Sequence, residues 1–255
     1  MIDDGTPTGP PDFIGVGTQR SGTTWWFRTI LQHPAINAPR SGIKELHFFR
    51  RFGAHQMGRQ DVERYHAKFL RRAGEIAGEW TPRYLHDFWT PRLIRRAAPH
   101  AKLLIMFRDP IERLRSGIPK EFDRDPTQLL EDVTADAIER GRYATQLRYL
   151  RDQHPDAEVL ILQYERCVAE PVEQYRRTLH FLGVDPDSAD LPDFTARRGK
   201  SQASNKKELW PDLRDAMVDV LESEVAELAA MEDEIDPSLW RNFAHLAEGR
   251  HAVRP

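Results

Sequence analysis

Short apolar runs alternate along the chain with longer stretches in which apolar residues recur every three or four positions. The apolar runs predict strands at 13–17, 75–80, 102–108 and 158–164, and runs of this kind are typical of strands buried on both faces of a sheet. The helically spaced stretches predict helices at 23–32, 60–72, 89–98, 133–153, 171–182 and 211–231, with another helix beginning at Pro110. This alternation predicts an α/β fold, in which a mostly parallel central sheet is flanked by helices.

The chain of 255 residues has no internal repeat and no low-complexity block. We therefore expect a single α/β domain over residues 13–255, preceded by a flexible lead-in at residues 1–12. The lead-in lacks the basic start and apolar centre of a signal peptide, and no apolar run reaches membrane-spanning length. These features predict a soluble, cytoplasmic protein without membrane insertion, and they leave a homodimer open.

The composition excludes several classes of function. Hydrophobic residues make up 40% of the chain, which is enough for a sizeable core. The formal net charge of −3 lacks the basic excess typical of nucleic-acid binders, so we expect no nucleic-acid partner. The one cysteine, Cys167, excludes an intrachain disulfide and a cysteine-based metal cluster, and we interpret it as a buried structural thiol.

A glycine-containing segment, Gly17-Thr-Gln-Arg-Ser-Gly-Thr-Thr24, joins the first predicted strand to the first predicted helix. Backbone N–H groups and the helix dipole make such a junction a favourable site for a phosphate or sulfate group. The segment is P-loop-like, but Thr23 occupies the position of the P-loop lysine, and the cation lies inside the loop at Arg20. An ordinary tight strand–helix turn is the alternative interpretation.

A second candidate feature follows the strand at 102–108. Arg108 ends that strand, and Ser116 follows eight residues later on the next predicted helix. Ligands of open α/β sheets bind beyond the carboxyl ends of the strands, so a guanidinium and a hydroxyl there suit a second phosphate. In the alternative interpretation Arg108 pairs with Asp109 or Glu112, and Ser116 is a surface residue.

Two further segments combine charge with other features. In Lys44-Glu-Leu-His-Phe-Phe49, a carboxylate beside a histidine and aromatic residues suits a general base, and a surface Lys–Glu pair beside buried phenylalanines is the alternative, which the residues alone favour. In Arg197-Arg-Gly-Lys-Ser201, a basic loop suits closure over an anion, and a solvated run of charge is the alternative.

Taken together and in this order, the segments resemble the sulfotransferases that use 3′-phosphoadenosine 5′-phosphosulfate (PAPS). The similarity is strongest to the branch of heparan sulfate and tyrosylprotein sulfotransferases and their bacterial relatives. The resemblance covers about residues 13–200 and implies a donor site formed by Gln19, Arg20, Ser21, Gly22, Thr23, Thr24, Trp25, Arg108, Ser116, Arg198, Gly199 and Lys200.

The same resemblance implies a mechanism. Glu45 would act as the general base toward an acceptor hydroxyl, and His47 would orient either Glu45 or the acceptor, while Arg20 and the loop hydroxyls stabilise the leaving phosphate. Adenosine 3′,5′-bisphosphate (PAP) would be the product, and no metal is expected. Heparan-type enzymes carry a lysine where this chain has Trp80, so that role is vacant or filled elsewhere.

The acceptor is the least determined part of this prediction. Basic and aromatic residues in loops 37–60 and 117–135 suit an acidic small molecule, a sugar or a phenol. Two other functions remain open, a P-loop-like phosphotransferase or nucleotide kinase and a non-catalytic nucleotide-binding protein. In the latter, the amphipathic stretch at 211–231 would pack on a partner instead of on the core.

Overall fold

The computed structural model describes residues 5–124, 130–197 and 209–248. Its sheet contains five strands, β1 (Phe13–Gly17), β2 (Ile36–Asn37), β3 (Ile76–Trp80), β4 (Lys102–Phe107) and β5 (Val159–Gln163). They are ordered β2-β3-β1-β4-β5, and every pair is parallel. The predicted α/β class and parallel central sheet are confirmed.

Ten α-helices in the described residues surround this sheet: α1 (Thr23–Ile30), α2 (Arg59–His66), α3 (Thr90–Ala97), α4 (Pro110–Arg124), α5 (Leu130–Gly141), α6 (Tyr143–Gln153), α7 (Tyr164–Ala169), α8 (Pro171–Leu182), α9 (Pro211–Met231) and α10 (His245–Glu248). Short 3₁₀ helices cover Phe48–Gly53, Phe194–Arg197 and Pro237–Leu239. None of the helices in the described part of the chain is long and apolar enough to cross a bilayer.

Alternate residues of the central strands are buried in two different layers. In β4, Leu103 and Ile105 belong to one apolar cluster, whereas Leu104 and Met106 belong to the other. This alternation follows from the two-residue period of a strand, and it explains why β4 is apolar throughout. Helices α1 and α8 cover one face of the sheet, and α3, α6 and α9 cover the other.

Helix α9 lies on the core. Its residues Met217, Leu221, Val225 and Leu228 are buried in the larger apolar cluster. The alternative in which this stretch packs on a partner protein is therefore not needed to explain its apolar face.

Several predicted boundaries were wrong. The single helix expected at 133–153 is two helices, because Arg142 leaves the helical conformation at φ −73° and ψ 65°. The helix expected at 60–72 ends at His66. The two-residue strand β2 and the helix α7 were not predicted, because each is too short to show a clear period.

The start of the described chain contacts the sheet. Asp12 accepts hydrogen bonds from the backbone N–H of Ala77 at 2.8 Å and from Arg71. The backbone N–H of Gly9 donates to the carbonyl of Phe69 at 3.2 Å. The division into residues 1–12 and 13–255 stays a prediction.

Candidate active site

The glycine-containing loop lies where β1 ends and α1 begins. Gly22 precedes the helix with a φ of 87°, in the left-handed region that favours glycine. A Cβ atom at this position would lie 2.6 Å from the Tyr164 ring, so the loop requires glycine on steric grounds as well. The close approach of Tyr164 places α7 against the loop.

A cavity of about 470 Å³ adjoins this loop. Most of the predicted site residues line it, namely Gln19, Arg20, Gly22, Thr23, Thr24, Trp25, Glu45, Arg108 and Ser116. Ser21 does not, because its side chain is fully buried and its hydroxyl oxygen lies 2.6 Å from that of Thr18. Arg198, Gly199 and Lys200 lie outside the described residues.

Arg20 and Arg108 connect the loop to β4 and α4. The Arg20 guanidinium donates to the backbone carbonyl of Ser116, with its Nε at 3.1 Å. The Arg108 guanidinium donates to the backbone carbonyl of Arg20 at 3.1 Å and lies 4.7 Å above the Tyr164 ring. The two arginines predicted to bind phosphates at separate sites are thus adjacent in the structure.

The alternative pairing of Arg108 with neighbouring acids is not observed. Asp109 accepts hydrogen bonds from the backbone N–H of Ile111 at 2.9 Å and from Asn242. Glu112 instead pairs with Arg115. The Nε atom of Arg108 is buried without a hydrogen-bond partner among the residues that the structure describes, so this side chain keeps a donor for a ligand.

Glu45 lies between Lys44 and His47. The Lys44 ammonium nitrogen is 3.0 Å from one Glu45 carboxylate oxygen and 3.1 Å from the Thr23 hydroxyl oxygen. His47 Nε2 is 3.4 Å from the other carboxylate oxygen. The interpretation of Lys44 and Glu45 as a surface pair is therefore wrong for the lysine, since its side chain is only 13% exposed and burial lowers its pKa.

A second glutamate, Glu79 on β3, forms a hydrogen bond with the backbone of this segment. It is fully buried and accepts hydrogen bonds from the hydroxyls of Tyr65 at 2.7 Å and Thr81 at 2.6 Å. It also accepts a hydrogen bond from the backbone N–H of Leu46 at 3.2 Å. Burial raises the pKa of Glu79, and these hydrogen bonds oppose that effect. Glu79 thus fixes the backbone directly after Glu45.

Two site residues adopt strained backbone conformations. Among the described residues, the non-glycine residues with positive φ are Arg20 at 64° and His47 at 47°. Each such conformation costs of order 1–3 kcal/mol and persists where the surroundings enforce it. The strain therefore coincides with the two segments that the sequence predicted to be functional.

Trp80 has a packing role at the position where heparan-type enzymes carry a lysine. Its indole N–H donates to the carbonyl of Gly17 at 3.0 Å, and its side chain is fully buried. A Cβ atom on Gly15 would lie 2.0 Å from the Trp80 ring, so the indole lies directly on β1. Trp80 supplies no cation, and the partly buried Lys44 ammonium lies 3.0 Å from the Glu45 carboxylate.

Sequence analysis missed several residues of the cavity. They are the cations Arg28, Arg113 and Arg140 and the ring of Tyr164. Lys44 and Glu79, which form hydrogen bonds with Thr23 and Leu46 beside it, were also given no role. Arg140, which donates to the Gln19 side chain 121 residues away, gave no signal, because such pairs form only in the folded chain.

The residues present fit a donor that carries phosphates at two positions. Among the described residues, five arginines line the cavity, against two carboxylates, Glu45 and Asp136. Guanidinium groups bind phosphate strongly through paired, charge-assisted hydrogen bonds. The Arg108 Nε, which lacks a hydrogen-bond partner among the described residues, is a further donor beside the cavity.

Comparison with known proteins assigns the family. Residues 10–214 match the family model described as a sulfotransferase domain. The mouse heparan sulfate glucosamine 3-O-sulfotransferase 3B1 is 27% identical over 187 residues, which are 68% of this chain and 46% of that protein. The chain spans about half the length of the curated relatives it matches.

Solved structures agree with this assignment. A sulfotransferase from Alicyclobacillus acidocaldarius is 25% identical, with a TM-score of 0.70 over 91% of this chain and 99% of that one. The mouse sulfotransferase SULT7A1 complexed with PAP shares the fold, at 14% identity, a TM-score of 0.50 and coverage of 98% and 92%. The resemblance predicted from the sequence is confirmed, and neither the phosphotransferase nor the non-catalytic alternative is favoured. The chain belongs to the sulfotransferase family, which uses PAPS as donor and releases PAP.

Proposed function

We propose that the chain transfers the sulfuryl group of PAPS to a hydroxyl of a small-molecule or carbohydrate acceptor. The observation that carries this proposal is the contact of Lys44 with both Glu45 and Thr23, because it joins a carboxylate base to the anion-binding loop. A base adjacent to a donor loop is the arrangement that direct transfer requires.

When bound, PAPS supplies an activated sulfuryl group attached to a phosphate that can leave. In the proposed reaction, Glu45 takes the proton of the acceptor hydroxyl. The bond from that oxygen to sulfur forms as the bond from sulfur to the 5′-phosphate oxygen breaks, and the electron pair stays with the phosphate. His47, 3.4 Å from Glu45, orients the carboxylate or the acceptor.

The remaining residues bind and stabilise charge. The 5′ end of the donor faces Arg20, the loop amides and the hydroxyls of Thr23 and Thr24. Ser21 contributes its backbone N–H to this site, because its hydroxyl is buried against Thr18. Arg108 and Ser116 hold the 3′-phosphate, which distinguishes PAPS from ordinary nucleotides. Lys44 provides the second cation that Trp80 does not supply.

A thermal-shift experiment on the whole chain tests the donor assignment. PAP should raise the melting temperature strongly, and ATP with Mg²⁺ should raise it much less, because ligands that bind only the folded state stabilise it by mass action. A chelator should leave both the PAP shift and the transfer of label from ³⁵S-PAPS unchanged. Stabilisation by ATP with Mg²⁺ but not by PAP would contradict the proposal.

The cytoplasmic location and a homodimer remain predictions from the sequence. Fractionation of the producing cell and sedimentation of the purified chain test them separately from the activity.

A further inference from the structure

A second cavity, of about 810 Å³, lies next to the proposed base Glu45. His47 lines this cavity, Glu45 lines the donor cavity, and the two side chains are 3.4 Å apart. Consecutive residues also line the two cavities, Pro82 the donor cavity and Arg83 the second one. An acceptor in the second cavity would therefore have its hydroxyl beside Glu45.

The charged residues that line this cavity are basic. Arg50, Arg51, His55, Lys68 and Arg83 line it, and no carboxylate does so among the described residues. Arg51 and Arg83 are neutralised by Asp61 and Asp87, at 2.9 and 3.0 Å. Arg50 and Lys68 form no ion pair within the described parts of the chain, which leaves two cations for an anionic group.

The cavity is also aromatic. Phe48, Phe88 and Trp89 line it, and Phe88 and Trp89 pack edge to face at 5.2 Å. Phe88 is 67% exposed, although removing a large apolar side chain from water is favourable. A ligand that covered this ring would therefore be stabilised by the contact. Ligand sites of this kind combine apolar rings with a few polar groups, and their volumes are typically about 300–1,000 Å³.

We propose that this cavity binds the acceptor, and that the acceptor is a small hydroxylated anion with an aromatic or alicyclic frame. The inference rests on the proposed sulfuryl transfer and adds the class of acceptor. The rings of Phe88 and Trp89 would contact the frame, and Arg50 and Lys68 would bind the anionic group.

A panel of aryl and alicyclic hydroxy acids, each assayed beside its own primary amide with ³⁵S-PAPS, tests the assignment. We expect kcat/KM to be about 10-fold or more higher for the acids than for their amides, since a charge-assisted hydrogen bond contributes about 1.5–3 kcal/mol. The preference should fall below about 3-fold in Lys68→Met and Arg50→Met. It should persist in Arg59→Met, a 93% exposed position outside the cavity.

Equal rates for acids and amides would overturn the proposal, as would faster sulfation of a heparan oligosaccharide than of every hydroxy acid. Failure of all the acids to react or to bind, in a protein that PAP still stabilises, would also overturn the acceptor class while leaving the donor assignment intact. Failure of PAP to stabilise the protein would instead refute the proposed function, and the acceptor assignment with it.

Discussion

The ammonium nitrogen of Lys44 lies 3.0 Å from a carboxylate oxygen of Glu45. The same nitrogen contacts Thr23, the first residue of α1, at 3.1 Å. One partly buried cation thus connects the proposed base with the loop that would hold the transferred group. In our proposal, Lys44 takes the role of the lysine that heparan-type enzymes carry where this chain has Trp80.

Replacing Lys44 by methionine should lower kcat by about 10- to 100-fold and change the Kd for PAP much less, because the lost charge acts mainly during transfer. Lys44→Arg should retain more activity. Because burial lowers the pKa of Lys44, activity should decline at alkaline pH, and this decline should move to higher pH in Lys44→Arg. Full activity of Lys44→Met would show that the contact is structural only.

Arg108→Ala should weaken PAP binding by about 10- to 100-fold, the effect of losing charge-assisted hydrogen bonds worth about 1.5–3 kcal/mol. Adenosine 5′-monophosphate, which lacks the 3′-phosphate, should lose little affinity. Calorimetric titration of both nucleotides measures the difference. An equal loss for the two ligands would mean that Arg108 acts through the carbonyl of Arg20 that it contacts, and not on the 3′-phosphate.

Glu79→Gln should lower both stability and turnover. The amide cannot accept all the hydrogen bonds that the buried carboxylate accepts, so we expect a loss of about 2 kcal/mol or more in the free energy of unfolding. Urea denaturation measures this loss. The kcat should fall further than the Kd for PAP rises, because the backbone at Leu46 shifts next to Glu45. Glu75→Gln, which lies one residue before the same strand and accepts a hydrogen bond from Asn37, is the matched control.

Glu165 should make stability depend on pH. Burial raises its pKa from 4.5 to about 7, so between these values the folded state binds more protons than the unfolded state. Stability should therefore fall as the pH rises through this window, by about 3 kcal/mol for this group. The difference between the wild type and Glu165→Gln, measured by urea denaturation at pH 5 and pH 8, isolates the contribution. A difference that does not change with pH would contradict the assignment.

Local patterns were sufficient to predict most of the fold. Strand β4 is a continuous apolar run, and helices α8 and α9 have a clear period and clear ends, so the bounds of all three were predicted to within one residue. The break at Arg142 was missed, because the apolar spacing continues through it from α5 into α6.

The candidate site was predictable only where its residues share a short segment. The loop and the Glu45 segment carry their chemistry in consecutive residues. The hydrogen bond from Tyr65 to Glu79 and that from Arg140 to Gln19 join residues 14 and 121 positions apart, and no spacing in the sequence indicates them. For the same reason, the sequence left open whether Arg108 faces the loop or an adjacent acid.

The most direct test of the account is single-turnover transfer from ³⁵S-PAPS by Glu45→Gln, with the acceptor found in the panel above. The amide is nearly the same size as the carboxylate but cannot take a proton, so PAP affinity should remain within about 3-fold while the transfer rate falls by about 100-fold or more. A variant that binds PAP normally and transfers sulfate at the wild-type rate would contradict the assignment of Glu45 as the base.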